Sequence, residues 1–200
     1  MRNFKALFIL VLFIGGCISV PTSPTPRFYT LQSLSVKNQV KLQGAENLNN
    51  IIIGVGPVTL PEYFNRPQIV TKNSNNAVEF SQFDRWAEPL EDAIARIIAK
   101  NFTVLLPETG IDILPWNSAI PRKYQVTIEV IELNCNLKDE AMMLLQWSII
   151  EAGGKKLLLT ERKAYREKIE SGTYPGLVRA LSVICESISK DIAGKLIELG

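Results

Sequence analysis

Cys17 is the residue whose type and position point most clearly to chemistry, because it directly follows Gly15 and Gly16 at the end of an apolar run. Its thiol is a nucleophile, and the two small residues before it leave the backbone open to a peptidase. Two cations lie within the first five residues, and residues 6–14 are all apolar. A helix that spans a bilayer needs roughly 20 apolar residues, so this run is too short. A basic start, a short apolar core and small residues predict a secretory signal peptide.

Residues 14–17 also resemble the lipobox of bacterial lipoproteins, in which an aliphatic residue and two small residues precede a cysteine. That resemblance implies that residues 1–16 are removed and that Cys17 becomes a new N-terminus with a diacylglycerol attached through a thioether. Each buried methylene of an acyl chain contributes about 0.8 kcal/mol, so two or more chains hold a protein on a membrane. Two alternatives stay open at this point: a buried N-terminal helix, and an ordinary secretory cleavage site with an incidental cysteine.

The residue after Cys17 is Ile18 and not aspartate. In Gram-negative lipoproteins an aspartate at this position usually causes retention at the inner membrane, so we expect a location at the outer membrane, facing the periplasm. Residues 17–26 carry three prolines among serines and threonines, a composition that excludes helix and central strand. We interpret them as a tether, and residues 27–200 as a single folded domain.

The composition limits the classes of function. Histidine is absent, which removes the commonest general acid–base group and metal ligand, together with the catalytic triads that depend on it. We therefore expect a non-enzymatic protein without a cofactor or a metal, although carboxylate or lysine chemistry stays open. Because Arg2 and Lys5 leave with the signal peptide, 20 basic residues balance 20 acidic ones, and we expect no binding to nucleic acid.

Two further cysteines, Cys135 and Cys185, remain in the mature chain. A periplasmic location is oxidising and would permit a disulfide between them. They could equally be two separately buried thiols. The distance between their Cα atoms decides whether a bond can form, so the sequence leaves both possibilities open.

Hydrophobic periodicity predicts a group of strands, a helix, a second group of strands and a final helix. The segment of residues 50–60 begins as a buried strand, which its glycines and Pro57 should end. The last three strands should form an antiparallel meander. The predicted strands cover residues 27–34, 50–60, 66–72, 78–83, 123–133, 141–150 and 156–169, and the predicted helices cover residues 88–105 and 175–196.

Each predicted helix has one apolar stripe, which a sheet or another helix has to cover. Met142, Met143 and Trp147 fall in a central strand, and we expect them in the core rather than in a lipid groove. We also expect Trp86 to cover the core where the first helix begins. The predicted fold class is α+β: a two-layer sandwich in which two main helices pack on one face of a mixed or antiparallel sheet.

Three blocks of the sequence are distinctive: residues 28–31 (FYTL), residues 56–63 with 66–70 (GPVTLPEY and RPQIV), and residues 85–90 (RWAEPL). Together with the lipobox they resemble the auxiliary lipoproteins of ABC-type lipid transport systems, the family of the PqiC and YmbA lipoproteins. The resemblance covers about residues 27–198. It implies a lipoprotein with a two-layer α/β fold that docks onto an MCE-domain protein of an envelope transport system. Phospholipid or another hydrophobic compound would be the cargo of the whole system.

The segment of residues 60–68, LPEYFNRPQ, is the predicted docking surface. Its two prolines fix φ and restrict the residues before them, so the loop should be stiff and lose little entropy on binding. Tyrosine, phenylalanine and arginine are frequent partners in protein interfaces. The predicted partner-binding residues are Tyr63, Phe64, Arg66, Pro67 and Gln68. The alternative is a loop folded over its own sheet, with Tyr63 and Phe64 filling the edge of the core.

Two other possibilities concern partners. The domain could itself bind phospholipid as a periplasmic shuttle or chaperone, which requires a cavity of roughly 300–1,000 Å³. It could also form a homo-oligomer, because a stiff loop and a sheet edge can make repeating contacts. The sequence alone does not decide between these possibilities and the docking role.

Overall fold

The computed structural model describes residues 24–35, 42–73, 77–116, 119–151 and 156–200. Cys17, the predicted signal peptide and most of the predicted tether lie outside these ranges. The described residues form eight strands and two α-helices. The strands are β1 (Arg27–Tyr29), β2 (Ile52–Thr59), β3 (Gln68–Lys72), β4 (Val78–Trp86), β5 (Gly110–Ile113), β6 (Tyr124–Cys135), β7 (Glu140–Glu151) and β8 (Leu157–Lys168), and the helices are α1 (Leu90–Leu105) and α2 (Tyr174–Leu199).

The larger sheet has five strands in the order β5-β2-β6-β7-β8. Strands β6, β7 and β8 form successive antiparallel pairs, which confirms the predicted meander. Strand β2 runs parallel to both of its neighbours, β5 and β6, so the sheet is mixed. Strand β5 was not predicted, because four residues are too few to show a strand pattern.

Strand β2 continues through the glycines and the proline that were expected to end it. Its pairing with β6 shifts register between Val55 and Val58, and Pro57, which has no N–H, lies at this irregularity. Gly56 has a φ of +120°, a conformation that only glycine adopts readily. The prediction that these residues terminate the strand was wrong, because a bulge accommodates them within it.

Both helices pack on one face of the larger sheet and against each other, with α1 on β2 and β5 and α2 on β7 and β8. Helix α1 begins at Leu90, two residues later than predicted, because Pro89 at its N-cap still has extended ψ. The largest side chains in the core are less than 2% exposed and include Trp147, Phe102 and Met143. These contacts confirm the two-layer α+β sandwich and the core positions of Trp147 and Met143.

Cys135 in β6 and Cys185 in α2 are free thiols, and both are buried. Of the two possibilities that the sequence left open, the structure therefore has separate thiols. Burial raises the pKa of each thiol to about 12, because a thiolate is poorly solvated in the apolar core. Both thiols consequently stay protonated and unreactive at neutral pH.

A second sheet of three strands, in the order β1-β4-β3, is present in addition to the single sheet that was predicted. Strands β3 and β4 form an antiparallel hairpin, and β1 runs parallel to β4. A parallel neighbour 55 or more positions away in the chain leaves no local sequence pattern, so the sequence did not reveal this sheet.

Residues 30–35, which we call the strap, run next to the helices, whereas residues 30–34 were predicted to continue β1. The Gln32 N–H donates to Oγ of Ser182 at 3.0 Å, and the Leu34 N–H donates to Oδ1 of Asn101 at 2.8 Å. Asn101 is fully buried. Side chains of the two helices therefore satisfy backbone groups that a neighbouring strand would otherwise bind.

Strand β1 is attached to β4 through the buried carboxylate of Asp84, whose side chain is 3% exposed. Arg27 makes a bidentate contact with this carboxylate, with Nε and Nη2 at 2.8 and 2.9 Å. The Tyr29 hydroxyl donates to it at 2.8 Å, and the Ser81 hydroxyl at 3.0 Å. Two of the three donor residues belong to β1, so the buried charge of Asp84 holds this short strand in place.

Burial by itself would raise the pKa of Asp84, but hydrogen bonds from Arg27, Tyr29 and Ser81 outweigh it and lower the pKa below its ordinary value of 3.8. Because the folded state stabilises the ionised carboxylate, Asp84 contributes to the stability of the fold at pH values above its pKa in the unfolded state. That contribution is lost as the pH falls through the folded pKa.

We predict that Asp84→Asn lowers the free energy of unfolding at pH 7 by about 2 kcal/mol, the contribution expected of hydrogen bonds to a charged group. The difference from the unsubstituted protein should begin to shrink below about pH 4, where the unfolded state protonates the carboxylate, and should shrink further as the folded state, whose pKa is lower, is protonated too. Denaturant unfolding at several pH values measures both effects. Asp139→Asn, at an exposed turn, is the matched control and should change the stability little. A difference that is the same at every pH would contradict the role assigned to Asp84.

Candidate functional site

The loop between β2 and β3 contains most of the residues that were predicted to bind a partner. Residues Glu62–Phe64 form a single 3₁₀ turn. The Phe64 N–H donates to the Pro61 carbonyl at 2.9 Å, and the Arg66 N–H donates to the Phe64 carbonyl at 2.7 Å. These bonds close the loop onto itself between its two prolines, which agrees with the expected stiffness.

The loop divides its two aromatic residues between the core and the surface. Phe64 is 4% exposed and belongs to the core, whereas Tyr63 is 39% exposed. Their ring centroids are 4.5 Å apart, so the buried ring supports the exposed one. Phe64 therefore follows the alternative stated from the sequence, in which it fills the core edge, and only Tyr63 is available to a partner.

Arg66, Pro67 and Gln68 lie where the loop enters β3. The guanidinium carbon of Arg66 is 4.0 Å from the ring centroid of Phe80, a cation–π contact that fixes the long side chain. Pro67 is exposed, and Gln68 is half-buried. The Pro67 carbonyl accepts a hydrogen bond from the N–H of Trp86 at 2.7 Å. This bond connects the loop to the third distinctive sequence block, residues 85–90.

These two blocks form the walls of one surface groove, which we call the motif groove. Residues 65–67 lie on one side and residues 86–89 on the other, and the groove has a volume of about 290 Å³. Trp86 is 5% exposed, so it forms the floor and has the core position expected from the sequence. Glu88 forms an ion pair with Arg96 of α1. The sequence did not show that the two blocks meet, because about 20 residues separate them.

The loop places two polar groups, the Tyr63 hydroxyl and the Arg66 guanidinium, in partly buried surroundings. Burial, followed by the nearby negative charge of Glu132, raises the pKa of Tyr63, so its hydroxyl stays neutral and can donate or accept a hydrogen bond. Nε of Arg66 is buried without a hydrogen-bond partner. Among the described residues there is no group of three or more acidic or cysteine side chains that could hold a metal ion.

A second groove, of about 350 Å³, lies between the β3–β4 hairpin and the turn that joins β6 to β7. Lys72 and Glu79 line it on one side, and Lys138 and Asp139 on the other. Its walls are polar and contain opposite charges side by side. Of the three distinctive blocks, only the end of residues 66–70 comes near this second groove. The motif groove is therefore the better candidate site.

In the part of the chain that the structure describes, no helix combines the length and the apolar character needed to cross a membrane.

The fold is similar to that of two solved proteins. One, an uncharacterized protein, has a TM-score of 0.68 and 18% sequence identity, with 86% of this chain and 99% of that chain covered. The other, from Xanthomonas campestris, has a TM-score of 0.66 and 10% identity, with 87% and 100% covered. No curated protein matches the sequence. At these identities the likeness shows the fold alone.

The family model of the ABC-type transport auxiliary lipoprotein component matches residues 29–193. The matched range includes the strap, both walls of the motif groove and most of α2. It therefore covers both sheets and both helices of the described structure, apart from the first two residues of β1 and the last six of α2. The chain belongs to the family of ABC-type transport auxiliary lipoprotein components.

Proposed function

We propose that this protein is a non-enzymatic, membrane-anchored subunit of an envelope ABC/MCE transport system for lipids or other hydrophobic compounds. It acts by docking its folded domain onto the MCE-domain component while acyl chains on Cys17 hold it at the outer membrane, facing the periplasm. Attachment to a membrane raises the effective concentration of the docking surface near its partner.

The observation that carries this proposal is the convergence of two distinctive blocks on the motif groove. Trp86 and Pro67 give the groove an apolar lining, and Arg66 adds a guanidinium group at its edge. An apolar pocket with a rigid aromatic residue and an arginine beside it matches the composition of interface hot spots. Tyr63 extends the same surface along the stiff loop.

The anchor is supported by the lipobox at residues 14–17 and by membership of a lipoprotein family. Ile18, in place of aspartate, supports the outer membrane rather than the inner one. Nine residues lie between Cys17 and Arg27, where β1 begins, so the anchor and the domain are connected by a short segment.

The alternative role, a shuttle or chaperone that carries phospholipid between the sheet and the helices, has less support. Trp147, Phe102 and Met143 fill the space between the two layers and are at most 1% exposed. The two grooves described above are open at the surface. The domain therefore uses the region between its layers as a packed core.

We predict that Tyr63→Ala and Arg66→Glu each weaken binding of the MCE-domain protein by about 2 kcal/mol, or roughly 30-fold in Kd, as expected for interface hot spots. Full-length protein extracted in mild detergent, followed by quantification of the co-purified MCE-domain protein, gives the measurement. Arg179→Glu, an exposed arginine on α2, is the matched control and should retain the partner. Normal recovery of the partner with both loop variants would refute docking through this surface.

We also predict that the mature protein starts at Cys17 and carries diacylglycerol on its thiol, with a further acyl chain on its amino group. Intact-mass spectrometry of the membrane fraction should show this modification, and Cys17→Ser should abolish it and leave residues 1–16 attached. An unmodified mature chain that is released in soluble form on cell disruption would contradict the anchor.

A further inference from the structure

One face of the three-stranded sheet points away from the core, and strand register identifies its residues. Residues that are directly paired across strands share a face, as do residues two apart within a strand. Phe28 pairs with Arg85, which pairs with Gln68. Further along the hairpin, Lys72 pairs with Val78, and Val70 pairs with Phe80. The outer face, as we use the term, consists of Phe28, Gln68, Val70, Lys72, Val78, Phe80 and Arg85, of which Val70 is 4% exposed and packs into the core.

The outer face exposes large apolar side chains to an unusual degree. Phe28 is 63% exposed, Phe80 is 46% exposed and Val78 is 40% exposed. On the opposite face of the same sheet, Asp84, Trp86 and Ile69 are 2%, 5% and 1% exposed. Isolated apolar residues on a surface need no explanation, but three on one small sheet indicate a contact surface.

The charged residues of the outer face are all cationic. Lys72 and Arg85 belong to it, and the guanidinium group of Arg66 lies over Phe80. Glu79, which precedes Phe80 in β4, pairs in register with Thr71 and so falls on the opposite face, although it borders the second groove together with Lys72. Its carboxylate accepts a hydrogen bond from the Asn73 side chain. Aromatic and aliphatic side chains next to cations, without acids among them, suit the interface of a membrane that contains anionic lipids.

The chain enters the domain at this same sheet. Strand β1, which carries Phe28, is the first element of the described structure and an edge strand of the three-stranded sheet. Ten residue steps separate Cys17 from Arg27, a distance of about 33–36 Å when fully extended. The Asp84 contacts fix the end of that segment beside Phe28. An anchor on Cys17 therefore keeps the start of β1, next to Phe28, within about 36 Å of the membrane.

We propose that the outer face of the three-stranded sheet rests on the membrane surface, with Phe28 and Phe80 at the level of the headgroups and with Lys72 and Arg85 on anionic lipid phosphates. The inference rests on the membrane anchor of the proposed function. The motif groove lies where β3 begins and β4 ends, so it stays at the rim of this face, where a transporter subunit can reach it.

The acidic surface of a protein is the other chemistry that this face would accept. The position of the anchor favours lipid, because the tether brings the membrane to the outer face irrespective of any partner. The two occupants give different results in vesicles that contain no other protein, where only a lipid contact can form.

The test places an environment-sensitive fluorophore on single introduced cysteines in the full-length, acylated protein. Phe28→Cys and Phe80→Cys report on the outer face. Leu157→Cys is the matched control, because Leu157 is 60% exposed. It pairs with Ile150 at one end of β7, whereas the three-stranded sheet lies beside the turn at the other end of β7. Cys17 is blocked by acylation, and the two native thiols of the domain are buried, so labelling is specific.

The labelled proteins are reconstituted in vesicles of phosphatidylcholine and phosphatidylglycerol that contain a nitroxide-labelled phospholipid. We expect blue-shifted, quenched emission at positions 28 and 80 and unquenched emission at position 157. Lys72→Gln should lower the ratio of protein with its outer face on the membrane to protein without this contact about fivefold, since each cation near an anionic membrane contributes about 1 kcal/mol. Lys190→Gln on α2 should leave the ratio unchanged.

Protein that floats with the vesicles but shows equal quenching at all three positions overturns the inference and leaves the anchor intact. Protein that does not float with the vesicles overturns both the anchor and the inference. Loss of the MCE-domain protein in the docking variants, by contrast, is measured without vesicles, so the outcome for the motif groove is independent of the outcome for the outer face.

Discussion

The buried carboxylate of Asp84 is the constraint on which the N-terminal part of the structure depends. A charge that is 3% exposed has to be compensated, because leaving it unpaired costs several kcal/mol. Arg27 and Tyr29 supply most of that compensation, and both belong to a strand of only three residues. Such a strand has little hydrogen bonding of its own, so the ionic contact and the ordering of β1 occur together. The contact between β1 and Asp84 therefore determines where the chain enters the domain.

The candidate surfaces are built on the same small sheet, but they use different parts of it. The motif groove lies at the end of the sheet where the backbone of Trp86 bonds to Pro67. The outer face follows the pleat of β1, β4 and β3. Phe64 links the loop to the main core by its burial, which leaves Tyr63 exposed on a rigid support. A rigid surface of this kind binds with little loss of conformational entropy.

The sequence predicted the long, regular elements well, because their signals are local. The alternation in β6 and β7 and the apolar stripes of α1 and α2 each extend over ten or more residues, and all four elements are where they were expected. The sequence did not predict contacts between distant segments, such as that of Arg27 with Asp84, which are 57 positions apart. It also could not tell which of Tyr63 and Phe64 is buried, since a 3₁₀ turn has no two-residue alternation. The motif groove needed the structure for the same reason, although both of its walls were recognised as distinctive blocks.

The strap gives the domain a defined response to mechanical force. A protein that is anchored at its N-terminus and bound to a transporter through its folded part is pulled whenever the two attachment points move apart. The load then reaches the bidentate bond of Arg27 first and passes next to the hydrogen bonds of Gln32 and Leu34 with the helices. Between these bonds lies Leu31, which is 3% exposed and belongs to the core. A pull on the N-terminal end therefore loads the polar contacts of β1 and the strap together with the packing of the core.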